Sequence, residues 1–148
     1  MSPDESLLCI GGGGGKVRVY KNISGSFLLT QTIILSFAIF DLKLSNEKMV
    51  VVGLSSLVRF YQYNGSAFEL EQTYLASDFS IVQIEIFHDF STMIFGGSSN
   101  EMKVIRKSSN TYELVESYPV GSFIFKVSSD RLFLYFVVSS GLGLHIFY

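Results

Sequence analysis

Cysteine occurs once, at Cys9, which excludes an internal disulfide and any cysteine-rich metal site. Long apolar runs are missing: the longest, "LFLYFVV" at 132 to 138, is strand-sized, well short of the roughly 20 residues of a membrane-spanning helix. Charge is scarce, at 16%, and the formal net charge of −2 offers no basic footprint for nucleic acid. Like charges do not cluster, so neither a polybasic membrane anchor nor an acidic tail is present. The opening "MSPDESLLCI" has no basic flank and no apolar segment of signal-peptide length, which predicts a cytoplasmic protein in a reducing compartment. The glycosylation triplets at Asn22 and Asn64 then read as turns. Helical periodicity is absent over any ten residues.

What the chain has is apolar surface and repetition. Hydrophobic residues make up 48% of its 148 positions and aromatic residues 15%, so many strands should be buried on both faces. The phrase "VRVYKNISGSFLLTQTI" (17 to 33) returns as "VRFYQYNGSAFELEQTY" (58 to 74) and "MKVIRKSSNTYELVESY" (102 to 118). Val17, Val58, Met102 and His145 open equivalent strands at spacings of 41, 44 and 43, and Phe27, Phe68 and Tyr112 repeat the first two. Each unit shows four strand-like segments between polar turns. In the second these are "IFDLKLS" (39 to 45), "MVVVG" (49 to 53), "LVRFYQY" (57 to 63) and "FELEQTY" (68 to 74), with Phe68, Leu70 and Tyr74 on one face. The third unit has "IVQIEIF", "MIFGG", "EMKVIRK" and "YELVESY"; the fourth has "FIFKV", "LFLYFVV" and "LGLHIFY". A period of about 40 to 45 residues with four strands is the signature of a propeller blade.

With "SPDESLLCIGGGGGKVRVYK" (2 to 21) and "FHDFSTMIFGGSSNEMKVIRK" (87 to 107), the chain resembles a divergent WD-repeat β-propeller. Tyr20, Tyr61, Ile105 and Tyr148 stand where that family has Trp, and Lys21, Gln62 and Arg106 where it has Asp. No Gly-His pair precedes an inner strand, so packing and backbone ladders must hold the blades. The resemblance implies an all-β fold of antiparallel four-stranded blades in one partial propeller, with repeat units near 1–21, 22–62, 63–106 and 107–148. It counts about 14 strands: the first blade lacks its inner strand and the last its outer one. The expectation is a fragment of a longer propeller, or one completed by another chain adding at 142 to 148.

Chemistry is thin. Arg18, Arg59 and Lys103 recur with the repeat, which marks scaffold, and Arg59 should share a face with Tyr61, Phe68 and Leu70. Gly11 to Gly15 precede a strand, not a helix, so they read as a flexible turn and not as a phosphate cradle. His88 beside Asp89 sits at a turn position without a nucleophile, and His145 lies among apolar neighbours. Asp41 and Glu85 fall at equivalent places on the innermost strands, the only acids that could meet at a channel mouth. No catalytic, cofactor or metal residue is assigned. The predicted function is a non-enzymatic protein–protein interaction scaffold. The alternative is a propeller binding a small molecule or peptide, or a hydrolase, at the channel mouth. In the resembled family the loops 76–80, 98–101 and 119–122 share one rim, making Asp78, Phe79, Asn100 and Glu101 the candidate partner contacts, with Phe79 an exposed aromatic anchor.

Overall fold

Alternating apolar and polar residues between short turns fold into strands. The structure, a computed structural model, describes residues 1–76, 80–87, 90–98, 100–122, 124–129 and 136–147. These hold fourteen strands in four antiparallel sheets. The first sheet is β1 (Leu7–Ile10), β2 (Lys16–Ile23) and β3 (Ser26–Ile34). The second is β4 (Ile39–Leu44), β5 (Lys48–Gly53), β6 (Leu57–Tyr63) and β7 (Phe68–Leu75), and the third is β8 (Ile81–Phe87), β9 (Thr92–Gly97), β10 (Glu101–Ser108) and β11 (Thr111–Pro119). β12 (Ile124–Ser129), β13 (Phe136–Ser140) and β14 (Gly143–Phe147) form the fourth. Spatial order equals chain order in every sheet, as in propeller blades. The pattern of three, four, four and three strands agrees with the count read from the sequence.

The hairpin turns follow from their residues. Gly65 has φ +96°, and the Asn64 carboxamide oxygen accepts the N–H groups of Ser66 and Ala67, so the Asn-Gly pair closes β6 onto β7. Ser24 and Gly25, both at positive φ, do the same between β2 and β3.

The core lies between sheets. Val17 and Val19 of the first sheet meet Met49, Val51, Tyr61 and Phe68 of the second, with Leu35 and Phe37 of the connecting segment wedged beside them. Val50, Val52, Val58 and Phe60 on the other face of the second sheet meet Met93, Phe95, Ile105 and Tyr112 of the third. Phe60 and Tyr112 stack with ring centroids 3.9 Å apart. Phe87, Ile94, Met102 and Val104 then meet Val120 and Ile124. Each sheet thus has an incoming face toward its predecessor and an outgoing face toward its successor.

Two repeated bulges depart from strict alternation. Inner strands skip Phe40, Val82 and Phe125, and outer strands skip Thr30, Glu71 and Val115. A bulge turns every later side chain over. Leu70 therefore pairs with Tyr61 on the incoming side, while Tyr74 packs on the opposite core, edge-on to Phe95, so Phe68, Leu70 and Tyr74 do not share one face. The fourth unit also needs a shift by one residue. Ser140 pairs with Ile124 as Gly53 pairs with Ile39 and Gly97 with Ile81. Val138 pairs with His145 as Val51 pairs with Arg59 and Phe95 with Lys103. Leu144, not His145, is therefore the counterpart of Val17, Val58 and Met102, and His145 joins the basic series. Phe147 pairs with Phe136 as Tyr61 pairs with Met49 and so takes the Trp-like position, while Tyr148 lies outside the described residues.

Candidate interaction surfaces

The segments joining sheets are seated on backbone oxygens. Leu35 N–H donates to Gly15 O (2.6 Å), Ala76 N–H to Ser56 O (2.9 Å), and Val120 and Gly121 N–H to Asn100 O (2.9 and 3.1 Å). Gly15 and Asn100 stand at φ +65° and +59° to aim these carbonyls. A Cβ on Gly15 would lie 2.5 Å from the Leu35 oxygen. The glycine run is therefore a seat for the next segment, not simply a loose turn, and Ile39 N–H also reaches Gly12 O (3.2 Å).

Of the four predicted contacts, Asn100 is exposed beside the 119–122 segment that its carbonyl holds. Glu101 accepts from Ser117 Oγ (3.1 Å) and lies 3.8 Å from Lys103 Nζ, leaving its carboxylate half open to solvent. Asp78 and Phe79 lie outside the described residues, as do His88 and Asp89.

Two members of the basic series, Arg59 and Lys103, pin the incoming segments. The Arg59 guanidinium sits 5.4 Å from the Phe37 ring centroid, and its Nε is buried without a hydrogen-bond partner. Its aromatic platform is thus the incoming segment, not a ring of its own sheet. Lys103 Nζ donates to Ala76 O (2.7 Å). His145 Nε2 lies 2.9 Å from Ser140 Oγ. Arg18 is exposed, whereas Arg59, Lys103 and His145 are partly buried.

On the innermost strands, Lys43 Nζ lies 3.6 Å from Asp41 and 3.5 Å from Glu85, and the Asp41 carboxylate accepts from the N–H groups of Leu42 (2.8 Å) and Ile84 (3.1 Å). The two acids thus share one cation and tie β4 to β8. Among the described residues no set of three or more His, Cys, Asp or Glu converges to hold a metal ion. Burial pushes the Cys9 thiol up to about 11, so it stays protonated at neutral pH. A cleft of about 530 Å³ lies between Pro3 and the Ser45–Lys48 turn.

Sequence reasoning missed a pair of glutamines. Each follows an outer-strand bulge and grips the next sheet's outer strand through both backbone groups. Gln31 accepts from Phe68 N–H (2.8 Å) and donates to Phe68 O (2.9 Å); Gln72 accepts from Tyr112 N–H (2.9 Å) and donates to Tyr112 O (3.5 Å). The recurrence of "QT" at 31 and 72 was the available signal. In the third sheet Glu116 takes this place and accepts instead from the Tyr118 hydroxyl.

Apolar positions that are buried between sheets inside the chain stand open at its two ends. Ile10 and Phe27, at 49% and 38% exposure, hold the incoming positions that are 0% and 3% exposed at Val51 and Phe68. Leu144 and Ile146, at 68% and 51%, hold the outgoing positions that are 0% and 2% at Val58 and Phe60.

No family model matches the chain, and no curated protein does. Among solved structures, the chain is similar to the crystal structure of the WD40 β-propeller domain of Doa1, at TM-score 0.79 and 12% identity. The similarity covers 98% of this chain and 47% of that one, so the chain spans just under half its length. The fold is that of an open arc of a WD40 β-propeller. No helix among the described residues is long and apolar enough to cross a membrane.

Proposed function

We propose that this propeller arc is a non-enzymatic protein–protein interaction scaffold, working as part of a larger propeller or complex in the cytoplasm. The observation that carries this is at the ends: positions buried between sheets inside the chain recur, apolar and open, on the first and fourth sheets. Contiguous exposed apolar surface of this kind marks an interaction face. Asp78, Phe79, Asn100 and Glu101 on the rim loops are proposed as further contacts, and the edge of β14, which no described strand pairs, as a place for strand addition. The channel-mouth alternative finds little support in Asp41 and Glu85, because Lys43 already satisfies both.

A photoreactive benzoylphenylalanine placed in cells at Phe27, Leu144 or Asn100 tests the reading. Cross-links from the two end positions to another polypeptide, absent from a control at exposed Glu113, are expected. Silence at both ends would overturn the proposal.

A further inference from the structure

We infer that the polypeptide covering both end faces is a second copy of this chain, joined head to tail so that two arcs close into one disc. This rests on the scaffold reading above and names its partner.

The two ends are complementary and not alike. The first sheet presents an incoming face of Leu8, Ile10, Tyr20, Phe27 and Leu29; the fourth presents outgoing Leu144 and Ile146. Inside the chain the same pairing is made twice. Val17 and Val19 are sealed by Met49, Val51, Tyr61 and Phe68, and Val58 and Phe60 by Met93, Phe95, Ile105 and Tyr112. Leu144 of one copy against Ile10 and Phe27 of another is a third instance of an interface the sequence already encodes.

A seam between unlike faces either closes into a ring or runs on as a filament. Curvature decides for the ring. The chain overlays 47% of a propeller domain along 98% of its own length, so two copies have the extent of one disc. Four sheets from each copy give eight, within the range of about four to eight blades in closed propellers. The seams differ from internal ones in one respect. Phe27 stands where Phe68 and Tyr112 receive a glutamine, but the described fourth sheet ends at its third strand and offers none. The dimer is therefore held by apolar contact and is reversible.

Sedimentation velocity on the 148-residue chain, from submicromolar to high-micromolar concentration, reads the outcome directly. A monomer–dimer equilibrium is expected, with no larger species. Ile10→Arg and Leu144→Arg, both at exposed positions, should each give monomers that melt like the dilute wild type; Phe27→Asp is a second variant of the incoming face. Mixing Ile10→Arg with Leu144→Arg should restore a dimer at higher concentration than wild type requires, because one of its two seams is unaltered on both sides. A wild type that stays monomeric throughout overturns the inference, as does a dimer that the mixture fails to restore, or open-ended polymers. Monomers in solution combined with end-face cross-links to a different polypeptide in cells would overturn the second copy and leave the scaffold reading standing.

Discussion

The second and third sheets and the first and fourth sheets are written in nearly the same residues but live in different surroundings. Val51 and Ile10 occupy one position, as do Phe68 and Phe27, yet the first of each pair is sealed by a neighbouring sheet and the second faces water. The difference lies in the neighbours and not in the strands themselves. Propeller stability is shared between adjacent repeats, so an apolar residue counts only when the next sheet is present.

Matched substitutions sharpen that contrast. Phe68→Ala should cost about 3–5 kcal/mol in chemical denaturation, the range for emptying a buried aromatic site. Phe27→Ala, its counterpart, should cost under about 1 kcal/mol in dilute solution, since little burial is lost. Equal costs would break the comparison.

Gly53→Ala and Gly12→Ala form the next pair. A Cβ on Gly53 would overlap the Ala38 carbonyl at the start of the inner strand, whereas one on Gly12 meets nothing. The first should destabilise by about 1–3 kcal/mol or more and the second hardly at all, with thermal melts as the readout. The first sheet has no inner strand among the described residues to collide with.

Gln72→Glu keeps the acceptor for Tyr112 N–H but sets an oxygen against the Tyr112 carbonyl, for an expected loss of about 1–3 kcal/mol. Glu116→Gln, at the same position of the third sheet, should be close to neutral, because the fourth sheet has no outer strand among the described residues to grip.

The smallest effect is one of pH. The Tyr112 hydroxyl donates to Phe90 O (2.6 Å) in the core, and burial, helped by nearby Glu71, raises its pKa well above the ordinary value of 10.0. A raised folded value means that this contribution is intact below about pH 10 and is lost as pH climbs from there toward the folded value, since only the unfolded chain ionises readily. Stability should fall above about pH 10, and Tyr112→Phe should flatten that fall while costing about 1–2 kcal/mol at neutral pH.

Strands and blade count were legible because period-two patterning and turn residues are local signals. "MVVVG" and "LVRFYQY" became β5 and β6 almost to the residue. Bulges were not legible, since nothing in "ELEQTY" announces that Glu71 is skipped, and that one residue decides which core receives Tyr74. His145 was misplaced by one for a similar reason: register is set by its pairing with Val138, not by counting from a turn. Arg59 was legible as scaffold, but its platform at Phe37 comes from a segment with no strand pattern. The end sheets were legible as three-stranded only through strand counting, because "LGLHIF" is as apolar as any inner strand.

Hydrogen exchange on the whole chain in dilute solution tests most directly the claim that neighbours, not strands, separate the inner from the end sheets. Amides of β5, β6, β9 and β10 should exchange only through global unfolding, while those of β2, β3 and β14 exchange much faster through local opening. Uniform protection across all four sheets would contradict it.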